Sequence, residues 1–286
     1  MKNYKLISKS ISSISFIGLW IMLTGNINAQ EQDKSFSEVT ISVGGPTTSL
    51  NYEVTGGDVS NQIGLNFGLD YTFFFSDNFG LSLGAEYQRF NTTAKAQNIP
   101  GTYETTDFEG ESFEFRYTMR RFKEEQKLDF VNIPLMLVYQ NQEYDFYIKA
   151  GTKIGLPVSG KFKSNFNLSA SGYYPQYDGE LFDPAFMGFG DFDDVKADGD
   201  IDVKPTYIAS FEFGVKQPIG KGNLYAGFYF DYGLNDIADK KSRPVDYTVN
   251  DSGASFGYNS VLNTEYVDQL KTMAFGIKLR YSIFNF

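Results

Sequence analysis

Apolar and polar residues alternate with a period of two along much of this 286-residue chain. In the longest example, residues 62–75, every second position from Ile63 to Phe75 is apolar, and the positions between them, as far as Thr72, are polar or glycine. Successive side chains of a β-strand point to opposite faces, so this pattern predicts a strand with one apolar face. The same rhythm recurs along the chain and predicts an all-β protein.

Seven further segments complete a set of eight predicted strands, near 39–44, 79–88, 128–139, 144–156, 207–218, 224–234 and 275–283. The segment 128–139 alternates less cleanly and contains Pro134, so it is assigned from its length and position. Short turns at 76–78, 140–143 and 219–222 alternate with long polar stretches at roughly 91–126, 163–205 and 235–269. This order is typical of an eight-stranded antiparallel up-and-down transmembrane β-barrel with short periplasmic turns and long extracellular loops.

The direction of the apolar face separates a membrane barrel from a soluble, lipocalin-like barrel. Large apolar residues occupy almost every position of that face, whereas the opposite face is rich in glycine and charge. The interior of an eight-stranded barrel is only just wide enough for side chains to fill, so eight strands of large residues would overfill it. We therefore expect the apolar face to point outward into lipid.

The inward face then carries a set of charged residues in a narrow interior. They are Asp70, Glu86, Lys149, Lys153, Glu212, Lys216, Asp231, Lys278 and Arg280. Unpaired charges there would be costly, so we expect them to pair with one another. A structural network of salt bridges is favoured over a proton or ion pathway.

Composition excludes several functions. The chain has no Cys and no His, which removes thiol nucleophiles, Ser-His-Asp triads and HExxH metal sites. A formal charge of −10 argues against nucleic-acid binding, which needs clustered basic residues. No enzyme activity and no cofactor are predicted.

Both ends of the chain carry targeting signals. Lys2, Lys5 and Lys9 precede a mostly apolar run at 11–23, and Ala29 lies at a suitable cleavage point. We predict a signal peptide at 1–29 and an outer-membrane β-barrel domain at 30–286. The terminal Phe286 is typical of barrels that the outer-membrane assembly machinery inserts, and predicts contact with that machinery.

Two of the long stretches suggest ligands. Asp198, Asp200 and Asp202 alternate as at the start of a calcium loop, but Val203 stands where that pattern needs glycine, so a solvated acidic loop is favoured. The stretch 91–126 carries four basic residues among aromatic ones: Arg116, Arg120, Arg121 and Lys123. Contact with anionic lipopolysaccharide is one reading, and a hairpin continuing above the membrane with its charges in solvent is the favoured one.

The segment 128–139, Leu-Asp-Phe-Val-Asn-Ile-Pro-Leu-Met-Leu-Val-Tyr, resembles a strand of the PorT-like outer-membrane β-barrel family of Bacteroidota. The following Phe-Tyr-Ile-Lys-Ala-Gly at 146–151 and the closing Ala-Phe-Gly-Ile-Lys-Leu at 274–279 are similar too. Asn132 stands where many members have Glu. The resemblance implies an outer-membrane barrel, and the named member takes part in type IX secretion, but no functional residue is available to match.

These observations lead to three hypotheses. The first is a non-enzymatic outer-membrane barrel with a structural or surface-interaction role, in contact with membrane lipid and lipopolysaccharide and with a possible protein partner at its extracellular loops. The second is an accessory component of a secretion or uptake machine. The third, a small-solute pore, is the weakest, since eight strands leave little open space.

Overall fold

The structure, a computed structural model, describes residues 35–141, 143–250 and 253–285. The predicted signal peptide and Phe286 lie outside these residues, and both stay predictions. The described residues form thirteen β-strands and three single-turn 3-10 helices. The strands are β1 (Phe36–Asn51), β2 (Gly57–Asn61), β3 (Asn66–Phe74), β4 (Phe79–Thr106), β5 (Ser112–Asn141), β6 (Phe146–Tyr174), β7 (Gly179–Leu181), β8 (Gly190–Asp200), β9 (Thr206–Ile219), β10 (Gly222–Gly233), β11 (Val245–Asn250), β12 (Gly253–Tyr258) and β13 (Lys271–Asn285). None of the helices in this part of the chain is long and apolar enough to cross a membrane.

Eight of the strands pair in an order that returns to its start. The order is β4-β3-β1-β13-β10-β9-β6-β5, and β5 pairs with β4 again. Every one of these pairings is antiparallel. We call these eight strands the ring. Each ring strand covers one of the eight segments at which the sequence predicts a strand, and the described residues are all-β as expected.

The outer face of the ring is apolar. Phe67 is 53% exposed, Leu83 54% and Phe228 57%, and similar exposed side chains occur on the other ring strands. The polar positions of the same strands are buried inside. This confirms the outward assignment of the apolar face. The exposed apolar face of β4 and β5 ends at an ion pair. There Arg89 on β4 donates to Asp129 on β5 at 2.7 Å and to the Tyr87 hydroxyl at 2.7 Å.

Three ring strands continue far beyond this Arg89–Asp129 pair. β4 and β5 stay in one register from Phe79 opposite Tyr139 to Thr106 opposite Ser112. β6 pairs with β9 along residues 146–155, and above that with β8 along residues 161–170. We call the part of the molecule above the pair the cap. It consists of the upper parts of β4, β5 and β6 together with β2, β7, β8 and the β11–β12 hairpin.

The cap has an apolar core of its own, which differs from the expectation of long polar loops. Phe113, Phe115 and Met119 are at most 1% exposed on one face of β5, whereas Arg116 and Arg120 lie on the other. The β11–β12 hairpin covers this apolar face, and the ring of Phe115 lies 5.1 Å from that of Tyr247. The polar residues that suggested loops are one face of an amphipathic sheet. The prediction that the Arg-rich segment continues the hairpin is confirmed.

Candidate functional site

The buried charges inside the ring are the most distinctive chemical feature of the described residues. Eight of the nine predicted charges lie within the ring and are at most 7% exposed: Asp70, Glu86, Lys149, Lys153, Glu212, Asp231, Lys278 and Arg280. Their inward direction follows from the strand period of two, because each occupies a position between outward apolar residues. The six strands β3, β4, β6, β9, β10 and β13 supply them.

One half of the set centres on Glu86 of β4. Its two carboxylate oxygens accept hydrogen bonds from Lys153 at 3.0 Å and from Lys278 at 2.5 Å. Lys153 also donates to Asp231 at 2.8 Å, and the other oxygen of Asp231 accepts from the Ser210 hydroxyl at 2.6 Å. Two acids and two bases from four strands therefore form one chain of contacts.

The other half centres on Arg280 of β13. Its guanidinium donates to Glu212 at 2.7 Å and lies 3.5 Å from Asp70. Lys149 lies 3.9 Å from Asp70 and donates to the Ser82 hydroxyl at 3.1 Å. The second oxygen of Glu212 accepts from the Tyr147 hydroxyl at 2.7 Å.

These eight residues, four acids and four bases, carry no net charge together, and we call them the lumen network. Each charge has an opposite charge within 4 Å, as the cost of burying ions requires. Lys216 does not join them. It is half-buried and donates to Gln140 at 2.9 Å, beside the short turns.

Sequence reasoning missed Glu38, which is 2% exposed on β1. The Tyr225 hydroxyl donates to it at 2.6 Å and the Asn223 amide at 2.7 Å. The signal was present, because Glu38 continues the inward series of Thr40 and Ser42 by one strand period.

The interior around the lumen network is crowded. A Cβ added at Gly84 would lie 2.4 Å from a carboxylate oxygen of Asp70, and one at Gly155 would lie 2.6 Å from the amide oxygen of Asn132. Above the charges, Asn132 donates to Gln88 at 2.7 Å. Further up, Phe90 and Phe130 meet edge to face at 5.8 Å, and both are at most 1% exposed. Polar side chains, then aromatic ones, fill the route from the lumen network to the cap.

Two buried acids of the cap, Asp107 and Glu124, have no basic partner among the described residues, and Glu124 is the more deeply buried of the two. Glu124 is 0% exposed and accepts hydrogen bonds only from neutral groups: Gln126 at 2.7 Å, the Ser260 hydroxyl at 2.7 Å and, more weakly, the Val261 amide at 3.4 Å. Burial raises the pKa of Glu124 to about 7, partly opposed by these hydrogen bonds. The Tyr52 hydroxyl, which donates to Gln126, faces the same cluster. Through these hydrogen bonds Glu124 holds the turn at Ser260 against β5.

The three aspartates of the calcium pattern are not gathered into a site. Asp198 and Asp200 are exposed on β8, and Asp200 pairs with Lys161. Asp202 follows the strand, and its carbonyl accepts from Asn263 at 2.6 Å. The described residues contain no group of three or more acidic side chains that could hold a metal ion. Calcium binding there stays a prediction from sequence.

The basic residues of the second long stretch are dispersed by the sheet. Arg116 pairs with Glu114 at 2.6 Å and with Glu180 at 3.2 Å, and its guanidinium lies over the Tyr173 ring. Arg120 pairs with Asp191 at 2.8 Å, and Lys123 with Glu125 at 2.6 Å. Lipopolysaccharide contact at these residues stays a prediction.

Comparison with known proteins identifies one family. The family model described as "Outer membrane protein beta-barrel domain" matches residues 28–239. No curated protein matches the chain significantly. Among solved structures, Ail, the attachment invasion locus protein of Yersinia pestis, is 11% identical over 86% of this chain and 99% of its own, with a TM-score of 0.31. The translocator domain of the autotransporter NalP from Neisseria meningitidis is 11% identical over 90% of each chain, with a TM-score of 0.24.

Proposed function

Because this chain belongs to the outer-membrane protein β-barrel domain family, and is therefore an outer-membrane protein, we propose that it is a non-enzymatic integral barrel that acts at the cell surface. In this proposal the ring is an eight-stranded up-and-down transmembrane barrel. The short turns after β3, β5 and β9 face the periplasm, and the cap stands outside the cell and carries a structural or interaction role.

The observation that carries this proposal is a filled interior beneath a folded cap. A pore needs a continuous polar path, whereas the neutral lumen network and the Phe90–Phe130 contact occupy the path in this molecule. The cap, in contrast, is built around a large apolar core and presents a broad polar face. A chain that places so many residues in a folded cap is better suited to contacts with other molecules at the cell surface than to transport of solutes through the ring.

The absence of enzyme activity has separate support. The carboxylates in the ring are bound in ion pairs, which leaves them poorly placed to exchange protons with a substrate. The chain also has no His or Cys.

Planar-bilayer recording tests the pore alternative. We expect the purified protein to insert without discrete conductance steps. Reproducible steps of one size would overturn a filled interior and favour the small-solute pore.

Single-cysteine labelling tests the orientation of the barrel. The natural chain has no Cys, so each introduced thiol is the only one present. Glu104→Cys places it on the exposed face of the cap, and Tyr144→Cys places it in a short turn, where Tyr144 is 69% exposed. A membrane-impermeant maleimide should label the first in intact cells and the second only after lysis. Labelling in the reverse order would invert the proposed orientation.

The accessory role in a secretion or uptake machine is the alternative function, and the PorT-like resemblance of 128–139 is what suggests it. Deleting the gene and measuring export of secreted proteins separates the two. Unchanged export supports the surface role, whereas an export defect restored by the intact gene would favour the machine.

A further inference from the structure

The strand β8 forms an edge of the cap sheet with no neighbour on its outer side. It pairs with β6 along residues 161–170, and no other strand of the described chain pairs with it. All of its residues are exposed or half-buried. An unpaired edge presents a row of backbone N–H and C=O groups to which another strand can add.

The register identifies which backbone groups are free. The Ile201 amide donates to the Gly160 carbonyl in line with the β6–β8 ladder. Antiparallel pairs alternate between hydrogen-bonded and non-hydrogen-bonded residues, so Gly199, Ala197 and Val195 bond to β6. The amides and carbonyls of the residues between them therefore face away from β6: Lys196, Asp198 and Asp200.

Side chains define what would fit beside this edge. On the outer face β8 carries five aspartates and one lysine, of which Asp198 and Asp200 lie next to the free backbone groups. On the inner face Val195 and Ala197 pack partly against the apolar core of the cap. A strand added here would be favoured by basic residues opposite the aspartates and apolar residues at the positions between them.

Charge also argues against two other occupants. A second copy of β8 would set aspartates against aspartates, which is unfavourable in a strand pair. Anionic lipopolysaccharide would meet the carboxylates of Asp198 and Asp200 at the edge, with the lysines opposite them, Lys163 and Lys161, one strand further in.

We propose that the β8 edge binds an extended peptide segment of a partner protein in which basic and apolar residues alternate. The segment adds to the sheet as one more strand, and its basic side chains meet Asp198 and Asp200. This inference rests on the proposed surface role and gives the partner a chemical class.

A labelled Lys-Val-Lys-Val-Lys-Val-Lys amide is a suitable probe for the full-length protein in detergent micelles, with fluorescence anisotropy as the readout. We expect saturable binding, and at least tenfold weaker binding of the Glu-Val counterpart. In an antiparallel pairing, residues directly opposite Asp198 and Asp200 turn their backbone toward β8. N-methylation of the lysine amides should therefore weaken binding at least tenfold, and N-methylation of the valine amides should not.

Protein variants locate the site. Asp198→Lys with Asp200→Lys should weaken Lys-Val binding at least tenfold and allow the Glu-Val peptide to bind. Glu53→Lys with Asp58→Lys, the same charge change at two exposed residues just before and on β2, should leave binding unchanged. Asp198→Pro removes one free amide without breaking the β6 ladder, so it should bind more weakly than the charge-matched Asp198→Asn. Retained heat-modifiable gel mobility shows that each variant is folded.

The results separate this inference from the proposed function. No binding of the Lys-Val peptide, or equal binding by the charge-reversed variant, would overturn the edge site and leave the surface role standing. Dimerisation that the Asp198→Lys, Asp200→Lys variant abolishes would assign the edge to a second copy instead. The surface role itself depends on the cysteine labelling described above.

Discussion

Replacing Glu124 with Gln should make the cap more stable at neutral and alkaline pH. The carboxylate is fully buried, its hydrogen-bond partners are neutral, and burial raises its pKa from 4.5 to about 7. When the Ser260 turn opens, water reaches the carboxyl and its pKa falls back toward the ordinary value. The closed state therefore holds a proton between pH 4.5 and 7 that the open state releases.

The sign and size of the effect follow from this difference. Closure is most stable below about pH 4.5, weakens as the pH rises to about 7, and stays at its lower level above that. A difference of about 2.5 pKa units corresponds to roughly 3 kcal/mol of closing free energy. Tyr52 faces the same cluster, but burial raises its pKa further above the usual range, so it stays neutral throughout this window.

Hydrogen exchange measures the opening directly. The amides of Asn263 and Thr264 are bonded within the turn, to the carbonyls of Ser260 and Val261 at 3.0 and 3.1 Å. After correction for intrinsic exchange rates, their protection in the natural protein should fall between pH 4.5 and 7. In Glu124→Gln it should be independent of pH and, at pH 8, exceed that of the natural protein by up to about 300-fold.

Glu125→Gln is the matched control, because Glu125 is the next residue, lies exposed on the opposite face and pairs with Lys123. It should retain the pH dependence of the natural protein. Equal protection profiles for the natural protein and Glu124→Gln would refute the reasoning, since they would show that the carboxyl is hydrated when the turn is closed.

Three further changes test the ring and the cap. Glu86→Gln should lower the free energy of unfolding by about 3–5 kcal/mol, because the neutral amide leaves Lys153 and Lys278 buried without the negative charge of Glu86. The heat-modifiable gel mobility would then be lost at a lower temperature, and an unchanged temperature would contradict the lumen network. Phe115→Ala should destabilise the cap by about 3–5 kcal/mol and speed its proteolysis, whereas Phe108→Ala, at a 47% exposed position, should not; equal rates would contradict a packed cap core. Gly84→Ala should reduce the folded fraction in refolding, because the added methyl meets Asp70; a normal yield would show that the interior has room.

The ring could be predicted because its signal is local. Seven of the eight ring strands alternate clearly with a period of two, and that period decides which side chains point inward. The eight charges of the lumen network were therefore identified before their partners were known. Which acid meets which base depends on strand register and side-chain reach, as in the pairing of Glu86 with Lys278 on β13, and a single sequence does not contain that information.

The cap was harder to predict for the opposite reason. Phe113, Phe115 and Met119 alternate with charged residues as in a strand, but the surrounding stretch is polar on average, so composition favoured a loop. Their burial depends on the β11–β12 hairpin, more than a hundred residues further along the chain. Glu124 lies within the same stretch, and the sequence alone does not single it out, because its environment is made by Ser260 and Val261.

The unbroken register between β4 and β5 has a mechanical consequence. The eighteen residues from Arg89 to Thr106 follow the same ladder that crosses the ring, and at about 3.3 Å per residue they span roughly 55 Å along the strand. No linker interrupts this ladder, so the direction of the ring strands sets the direction in which the upper parts of β4 and β5 point. A pull on the tip along the strands would load many ladder hydrogen bonds at once in shear. The cap and the ring are thus joined by continuous strands and not by a hinge.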